Sequence, residues 1–318
     1  MRTLKNLRNI FGGKIFPTAL KLRIIPPSTQ WENGICVNIR VKNEEDWIKY
    51  AILSLRDFAD EIIIADQGST DGTVQIIQDI IEEHPEMNIR FFNRSADTYL
   101  NMTKFVLKES RFRWILRFDA DMVAKTSGKY NIMNLKKYIL NFLNDENYYA
   151  IYLNHVYLYY DLFHIRKTGL FHREVWLCTN SKDLCVYNTP KKPGDPIHFF
   201  IPYYYKILEI RDPFIFHCNI KSRKRVLEWH YWAEYRRLFE GKLDFDEFVK
   251  LRIKEEFFTD SIKEAADMNI RKCWTEVVPF DPKTVDGHPE ILEPLLKNPR
   301  YKLIYDEKGN IIDRIEPS

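Results

Sequence analysis

The sequence has no long apolar run, no strong net charge and no cysteine pattern that would assign it to a membrane-spanning, nucleic-acid-binding or metal-binding class. No stretch approaches the roughly 20 apolar residues that cross a bilayer. No secretory signal is recognisable, because the short apolar segments near the start are interrupted by Gly and Pro. A net charge of +3 on 318 residues is too small to indicate a nucleic-acid partner.

The five cysteines form an odd set without the spacing of a metal site. They favour free thiols in a reducing compartment, and we therefore expect a cytoplasmic protein. The hydrophobic content of 45% and the charged content of 29% are ordinary for a globular enzyme. Since 318 residues exceed what one hydrophobic core usually serves, we predict one large domain with an appendage.

Glycine-rich phosphate loops are also missing. Residues 34–45 contain no Gly-rich basic loop of the kind that nucleotidyltransferases carry near the N-terminus. The segment Gly68-Ser-Thr-Asp-Gly72 does not match the Gly-x-Gly-x-x-Gly pattern of dinucleotide-binding proteins. These two observations argue against a nucleotidyltransferase and against a nicotinamide-dependent dehydrogenase.

What the chain does have is a predicted strand that ends in two carboxylates. The mainly apolar and aromatic residues 113–118 are followed by Asp119-Ala-Asp121. A buried strand with this ending places both acidic side chains at the carboxyl edge of a sheet, where α/β folds bind ligands. Carboxylate oxygens suit Mg²⁺ and Mn²⁺, which bridge them to substrate phosphates.

Two strand–loop–helix units precede this strand. Residues 34–41 predict a strand, which is followed by Asn43-Glu44 and then by a helix. Residues 62–65 predict a second buried strand, with Asp66 at its end, followed by a turn rich in Gly, Ser and Asp and then a helix. Each unit therefore places polar residues directly after a buried strand.

In this order, the units resemble the family-2 glycosyltransferases with the GT-A fold. The resemblance covers roughly residues 34–125 and depends on Asn43-Glu44, on the Asp66-x-Gly-Ser-Thr-Asp-Gly-Thr motif and on Asp119-x-Asp121. It implies an α/β protein with a GT-A-type nucleotide-binding domain, which is a Rossmann-like mixed sheet flanked by helices. It also implies a metal-dependent, inverting glycosyltransferase that uses a nucleotide-sugar donor.

The resemblance assigns five residues to the donor site, namely Asn43, Glu44, Asp66, Asp119 and Asp121. Within the last pair, Asp119 is expected at the ribose and also as a second metal ligand, and Asp121 is expected on the metal, which would be Mn²⁺ or Mg²⁺. Gln67 stands where the family commonly has a second acidic residue, and this leaves the base open. We favour a UDP-sugar donor, with a GDP-sugar as the alternative.

A histidine and a basic cluster follow a short predicted strand at Phe214–Phe216. His217 is expected to complete the metal shell, since a neutral imidazole is a competent Mn²⁺ ligand; the alternative is a histidine of the core. The basic cluster consists of Lys221, Arg223, Lys224 and Arg225. We expect at least one member, with Arg225 as the candidate, to hold the leaving diphosphate; the alternative is a solvated helix start.

The catalytic base is assigned to two candidate residues. An inverting transfer needs a general base at the acceptor hydroxyl, and the resembling family often supplies it from a Glu-Asp pair, which is absent here. Asp183 and Glu174 are the candidates, and Asp195 is a rival.

We predict a chain organised in three parts, with a mainly helical extension at the C-terminal end. These are a basic N-terminal arm (1–33), a GT-A catalytic domain (34–221) with a donor site (34–125) and an acceptor side (126–221), and an extension (222–318) that ends in a β-hairpin.

The N-terminal arm has no acidic residue before Glu32 and several basic ones. Residues 1–11 could form a basic amphipathic helix, so residues 1–23 would give a peripheral contact with the inner face of an anionic membrane. The alternative is a packed or loose arm. The acceptor is expected to be a glycan, glycolipid, glycoprotein or lipid-linked sugar in polysaccharide biosynthesis. An inactive glycosyltransferase-like scaffold or carbohydrate-binding subunit is the alternative function.

Overall fold

The computed structural model describes residues 15–188 and 197–317, and for residues 173–176, 188, 197 and 198 it describes the backbone only. A ten-stranded mixed sheet forms the centre of the molecule. The elements of the first third are α1 (Phe16–Lys21), β1 (Glu32–Val41), α2 (Ile48–Leu53), β2 (Glu61–Asp66), α3 (Thr73–Glu83), β3 (Ile89–Asn93), α4 (Tyr99–Glu109), β4 (Phe112–Asp119) and β5 (Met122–Ala124).

The remaining elements complete the sheet and add helices at the C-terminal side. They are α5 (Ile132–Lys137), β6 (Tyr149–Tyr159), β7 (His164–Arg166), β8 (Phe171–Thr179), β9 (Cys185–Asn188), β10 (Ile197–Phe200), β11 (Lys206–Asn219), α6 (Arg223–Leu238), α7 (Phe245–Phe257), α8 (Ile262–Trp274), β12 (Val277–Pro279), α9 (Glu293–Lys297), β13 (Lys302–Tyr305) and β14 (Ile311–Ile315).

The first four strands form the parallel part of the sheet, in the order β4-β1-β2-β3. All six residues of β2 are buried, as expected for a parallel strand that has helices on both faces. Parallel strands end at the same edge of a sheet, so the residues after β1, β2 and β4 come together there.

The second part of the sheet is mixed. β8 pairs antiparallel with β4 and with β6, and β11 pairs parallel with β6 and antiparallel with β5. The strand predicted at Phe214–Phe216 lies in the second half of the much longer β11. The register of β11 against β6 shifts between Ile210 and Ile215, around Pro213, which has no N–H to donate to the ladder.

The C-terminal residues pack against this sheet and also extend it. Helices α6, α7 and α8 enclose their own apolar cluster, whereas β12 joins the main sheet through β7, and β13 pairs with β14 in a terminal hairpin. The expected α/β architecture, a mixed sheet flanked by helices with a mainly helical C-terminal part, is confirmed.

At the N-terminal side, α1 lies on the sheet. Phe16 is fully buried and stacks on Tyr204 at 5.1 Å between ring centroids. The amphipathic helix predicted for residues 1–11 lies outside the described residues. In the described ranges, no helix combines the length and the apolar character needed to span a membrane.

Candidate active site

A cavity of about 920 Å³ lies at the carboxyl ends of β1 and β4 and beneath α6. The described residues that line it include eight Lys or Arg side chains and four Asp or Glu side chains. This excess of basic groups suits a ligand with several negative charges.

Asp121 lies at the centre of the cavity wall. Its Oδ1 is 3.0 Å from Nε2 of His217, and its Oδ2 accepts a hydrogen bond of 2.8 Å from Nζ of Lys221. The two strands that carry Asp121 and His217 meet because β5 pairs with β11, with Met122 opposite His217. Burial raises the pKa of Asp121, but the charges of His217 and Lys221 outweigh it, so this pKa lies below its ordinary value.

Lys221 joins Asp121 to a second strand end. Its ammonium also donates to both carboxylate oxygens of Glu44, at 2.7 and 2.9 Å, and only 6% of the residue is exposed. Arg225 reaches the same carboxylate at 3.3 Å and pairs with Glu228 at 2.9 Å. Lys221 and Arg225 therefore place two cations on the Glu44 carboxylate, and Lys221 also contacts the predicted metal ligand Asp121.

The other two members of the basic cluster, Arg223 and Lys224, are not among the described residues that line the cavity. Arg223 pairs with Asp267, Asp313 and Glu316 of the C-terminal part. Lys224 has a side chain that is 64% exposed and lies 3.5 Å from Glu228. The sequence could not separate the four, because the connection from β11 and the first turn of α6 together decide which side chains face the cavity.

Asp119 lines the cavity but is turned towards arginine. Its Oδ1 accepts a hydrogen bond of 3.0 Å from Arg40, and Nε of Arg117 is 3.9 Å away. In residues 15–188 and 197–317, no group of three or more His, Cys, Asp or Glu side chains is arranged to hold a metal ion. The structure thus brings Asp121 and His217 together and pairs Asp119 with Arg40.

Asn43 and Asp66 shape the loops beside the cavity. Asn43 has a positive φ of 55° and accepts a hydrogen bond of 2.7 Å from the Thr70 amide, which joins the loops after β1 and β2. The buried Asp66 carboxylate accepts hydrogen bonds from Gly68 and Ser69 of its own turn. Neither residue is among the described residues that line the cavity.

Gln67 lines the cavity and contacts the turn that follows α6. Its Nε2 donates to the Asp97 carbonyl at 3.0 Å and to a carboxylate oxygen of Glu240 at 3.1 Å. Two acceptors fix the orientation of the amide, so the buried Oε1 points away from them and has no hydrogen-bond partner among the described residues.

The base candidates are dispersed. The exposed Asp183 accepts a hydrogen bond of 2.7 Å from Tyr204 and is not among the described cavity-lining residues. Glu174 pairs with Leu153 in the β6–β8 register, and its side chain is not described. Asp195 lies outside the described residues. Every described carboxylate on the cavity wall, namely Glu44, Asp119, Asp121 and Glu228, has a cationic partner.

A second group of cavity-lining residues lies on the mixed part of the sheet. It consists of His155, Tyr157, Tyr159, Arg166, His172 and His217, which we call the ring face. Only His217 was predicted from the sequence. The alternation of His155, Tyr157 and Tyr159 along β6 was the available signal, because side chains at every second position of a strand share a face.

Comparison with known proteins gives the family. The sequence profile of "Glycosyl transferase family 2" matches residues 36–209, just over half of the chain. A lipopolysaccharide core biosynthesis glycosyltransferase, LpsC of Rhizobium meliloti, is 37% identical over 79 residues, which are 25% of this chain and 28% of that protein. The chain thus matches less than a third of the length of that relative.

Solved structures of low sequence identity were also found. A mannosyltransferase from Pyrobaculum calidifontis, in complex with GDP-Man and Mn²⁺, has a TM-score of 0.40 and 13% identity over 92% of this chain and 89% of that one. S. aureus TarS 1-349, in complex with UDP, has a TM-score of 0.39 and 13% identity over 71% and 72%. On the profile match, which covers more than half of the sequence, the chain belongs to glycosyl transferase family 2.

Proposed function

We propose that this protein is a metal-dependent, inverting glycosyltransferase that moves a sugar from a nucleotide sugar to a glycan or lipid-linked acceptor. The supporting observation is the convergence of Asp121, His217, Lys221 and Arg225 on one cavity. A nucleotide-sugar donor leaves as a nucleoside diphosphate, so the enzyme must stabilise negative charge on that group.

The residues fit a divalent cation that takes only two ligands from the protein. Oδ1 of Asp121 and Nε2 of His217 are neighbours at 3.0 Å, and both atom types suit Mn²⁺. Metal ions in phosphate sites commonly take one or two protein ligands and complete their shell with substrate oxygens and water. When bound, the metal would act as a Lewis acid on the diphosphate. Asp119 is proposed for the ribose, beside this site.

The chain supplies its own cations for the leaving group. Lys221 and Arg225 are held against Glu44, and a bound diphosphate would share them. The Glu44 carboxylate positions both cations before the donor enters, so little reorganisation is needed as charge develops. Asn43 and Asp66 act through the loops that they brace, and Gln67 offers its free carbonyl oxygen to the base. We propose a UDP-sugar donor, with a GDP-sugar as the alternative.

For the catalytic base, we propose Glu174, with Asp183 as the second candidate. Glu174 belongs to β8, which also carries the cavity-lining His172. Asp183 is held by Tyr204 outside the described cavity wall. Loss of transfer in Glu174→Gln, with donor binding retained, would support Glu174; full transfer activity would exclude it.

We also propose that residues 1–23 contact an anionic membrane that presents a lipid-linked acceptor. The support is the run of basic residues with no acidic residue before Glu32. Co-sedimentation with anionic vesicles, and none with neutral vesicles, is expected. Equal recovery with both vesicle types would contradict the proposal.

The first test is a thermal-shift panel of UDP, GDP, CMP, dTDP and their common sugar conjugates, each with and without Mn²⁺. A ligand that binds only the folded state raises the melting temperature, so one nucleotide class should stabilise the protein in a metal-dependent way. Asp121→Ala should abolish the shift, and Asp57→Ala, at an exposed position outside the cavity, should not change it.

Each other outcome of the panel has a distinct meaning. A nucleotide shift that needs no metal would contradict metal dependence alone. The absence of any shift, together with no hydrolysis of any sugar nucleotide, would favour the inactive scaffold or carbohydrate-binding alternative.

A further inference from the structure

The ring face continues from the proposed donor site along the cavity wall. His217 lies opposite Tyr157 in the β6–β11 register, and their ring centroids are 4.2 Å apart. Tyr157 stacks on Tyr159 at 4.6 Å with an interplanar angle of 17°. The guanidinium of Arg166 lies 4.3 Å from the centroid of the Tyr159 ring. Three successive contacts thus connect His217, the partner of Asp121, to Arg166.

The sheet register explains why Arg166 shares this face. Ile165 of β7 pairs with Leu158 of β6. Their neighbours in sequence therefore point to the opposite side of the sheet, where Arg166 joins Tyr157 and Tyr159. The position of Arg166 is thus built into the strand pairing and does not depend on a loop.

Arg166 differs from the cations of the donor side in its charge balance. Arg40, Lys221 and Arg225 each have a carboxylate partner. For Arg166, no carboxylate of the described residues lies within ion-pair distance, and its buried Nε has no hydrogen-bond partner there. Glu276 acts on this partly buried guanidinium from beyond ion-pair distance. A ligand anion in direct contact would therefore offset the desolvation free energy of Arg166.

We propose that the ring face is an acceptor subsite for an anionic saccharide, in which Arg166 pairs with a phosphate or carboxylate of the acceptor. Tyr157 and Tyr159 would pack against its sugar ring, as aromatic rings do with apolar faces. Because Lys221 and Arg225 are assigned to the donor diphosphate, we assign the anion that pairs with Arg166 to the acceptor. This subsite rests on the proposed glycosyltransferase function.

The test is calorimetric titration of the full chain with glucose 6-phosphate, glucuronate, inorganic phosphate and glucose. Each titration is run with and without a saturating concentration of the nucleoside diphosphate that gives the largest thermal shift. We expect the two anionic sugars to bind in both conditions, more tightly than inorganic phosphate, and glucose not to bind measurably. The two anionic sugars separate phosphate recognition from carboxylate recognition.

Arg166→Gln should weaken binding of the anionic sugars by about tenfold to a hundredfold, the value of charge-assisted hydrogen bonds. Arg166→Lys should restore part of the affinity, because it keeps the charge and loses the bidentate geometry. Arg211→Gln is the matched control, since the Arg211 side chain is 83% exposed on β11 and pairs with Glu209. Circular dichroism and melting temperatures confirm that each variant is folded.

Unchanged affinity in Arg166→Gln, or equal binding of glucose and glucose 6-phosphate, would overturn the subsite. If Arg166→Gln does not fold, full wild-type affinity for both anionic sugars in Arg166→Lys would overturn it. A nucleotide shift without Arg166-dependent sugar binding rejects the subsite and leaves the proposed function standing. Arg166-dependent sugar binding without any nucleotide shift or hydrolysis rejects the proposed function and leaves the anion site.

Discussion

The two halves of the cavity are built in different ways. On the donor side, the site residues lie at or just after the ends of parallel strands and in short sequence motifs, as Glu44 and Asp119 do. On the ring face, they come from four strands, β6, β7, β8 and β11, and pairing across the sheet brings them together, as with Tyr157 and His217. The donor side is rich in ion pairs, whereas the ring face carries rings and one arginine without a carboxylate partner among the described residues.

The difference shows two ways in which a β-sheet can bring the residues of a site together. Where strands are parallel, their carboxyl ends meet regardless of which face each side chain occupies. Where strands pair side by side, the register decides which side chains share a face, and a shift of one residue would place all of them on the other side. We therefore expect substitutions that change a charge to affect mainly the donor side. Substitutions that change side-chain packing should affect mainly the ring face.

The largest effect is expected at the ion-pair network. Lys221→Met leaves the carboxylates of Glu44 and Asp121 without their shared cation in a buried site. Removal of one partner from a buried pair costs about 3–5 kcal/mol, and we expect a loss of this size in the free energy of unfolding measured with denaturant. Lys224→Met, at an exposed position with a long 3.5 Å ion pair, should lose less than about 1 kcal/mol. Equal losses in the two variants would contradict the network.

Asp121→Asn separates charge from shape on the donor side. The amide keeps the size of the side chain but removes the negative charge beside His217 and Lys221. We expect turnover to fall by about 10²- to 10³-fold, the range for loss of one group that stabilises developing charge. Asp119→Asn should mainly raise the KM for the donor, because that residue is proposed at the ribose. The kcat and KM of both variants check this, and a smaller loss in Asp121→Asn than in Asp119→Asn would reverse the assignments.

The contact between the donor side and the turn after α6 can be tested with Gln67→Glu, which introduces the acidic character common in the family. In this protein it replaces the donor Nε2 with an acceptor that faces the Asp97 carbonyl and Glu240. We expect a loss of about 1–3 kcal/mol in the free energy of unfolding. Glu240→Gln in the same chain should recover part of it by supplying a donor. A stable Gln67→Glu single variant would contradict the contact.

The smallest effect is expected behind the ring face. His288 packs against Phe216, whose neighbour His217 points into the cavity, and its Nε2 lies 2.8 Å from the Leu162 carbonyl. Burial lowers the pKa of His288 below its ordinary value, although the Leu162 contact opposes this. Below about pH 6.5, His288 therefore takes up a proton in the unfolded chain but not in the folded protein. The free energy of unfolding consequently decreases as the pH falls. Between about pH 7 and pH 5.5, the free energy of unfolding of His288→Gln should decrease less than that of the wild type. The free energies are measured by denaturant titration at each pH. The same pH dependence in His288→Gln and in the wild type would contradict the assignment.

The sequence predicted the fold and the donor side well because both depend on local patterns. Apolar runs ending in polar residues predicted β1, β2 and β4, and the motif after β2 indicated the family. The long β11 was predicted only as a short strand, because its first half alternates without an apolar run and contains Pro213. The roles of Lys221 and Arg223 could not be separated, since both are basic residues beside the same helix start.

By itself, the sequence determined the family, the parallel part of the sheet and the carboxylates at its edge, because each depends on residues close together in the chain. The tertiary structure alone decided which of these groups meet. It joined Asp121 to His217 and Lys221 from about 100 positions away, turned Asp119 to Arg40 and brought Arg166 to the ring face. The physical reason is that strand pairing and burial fix side-chain neighbours through the register, which no local segment contains.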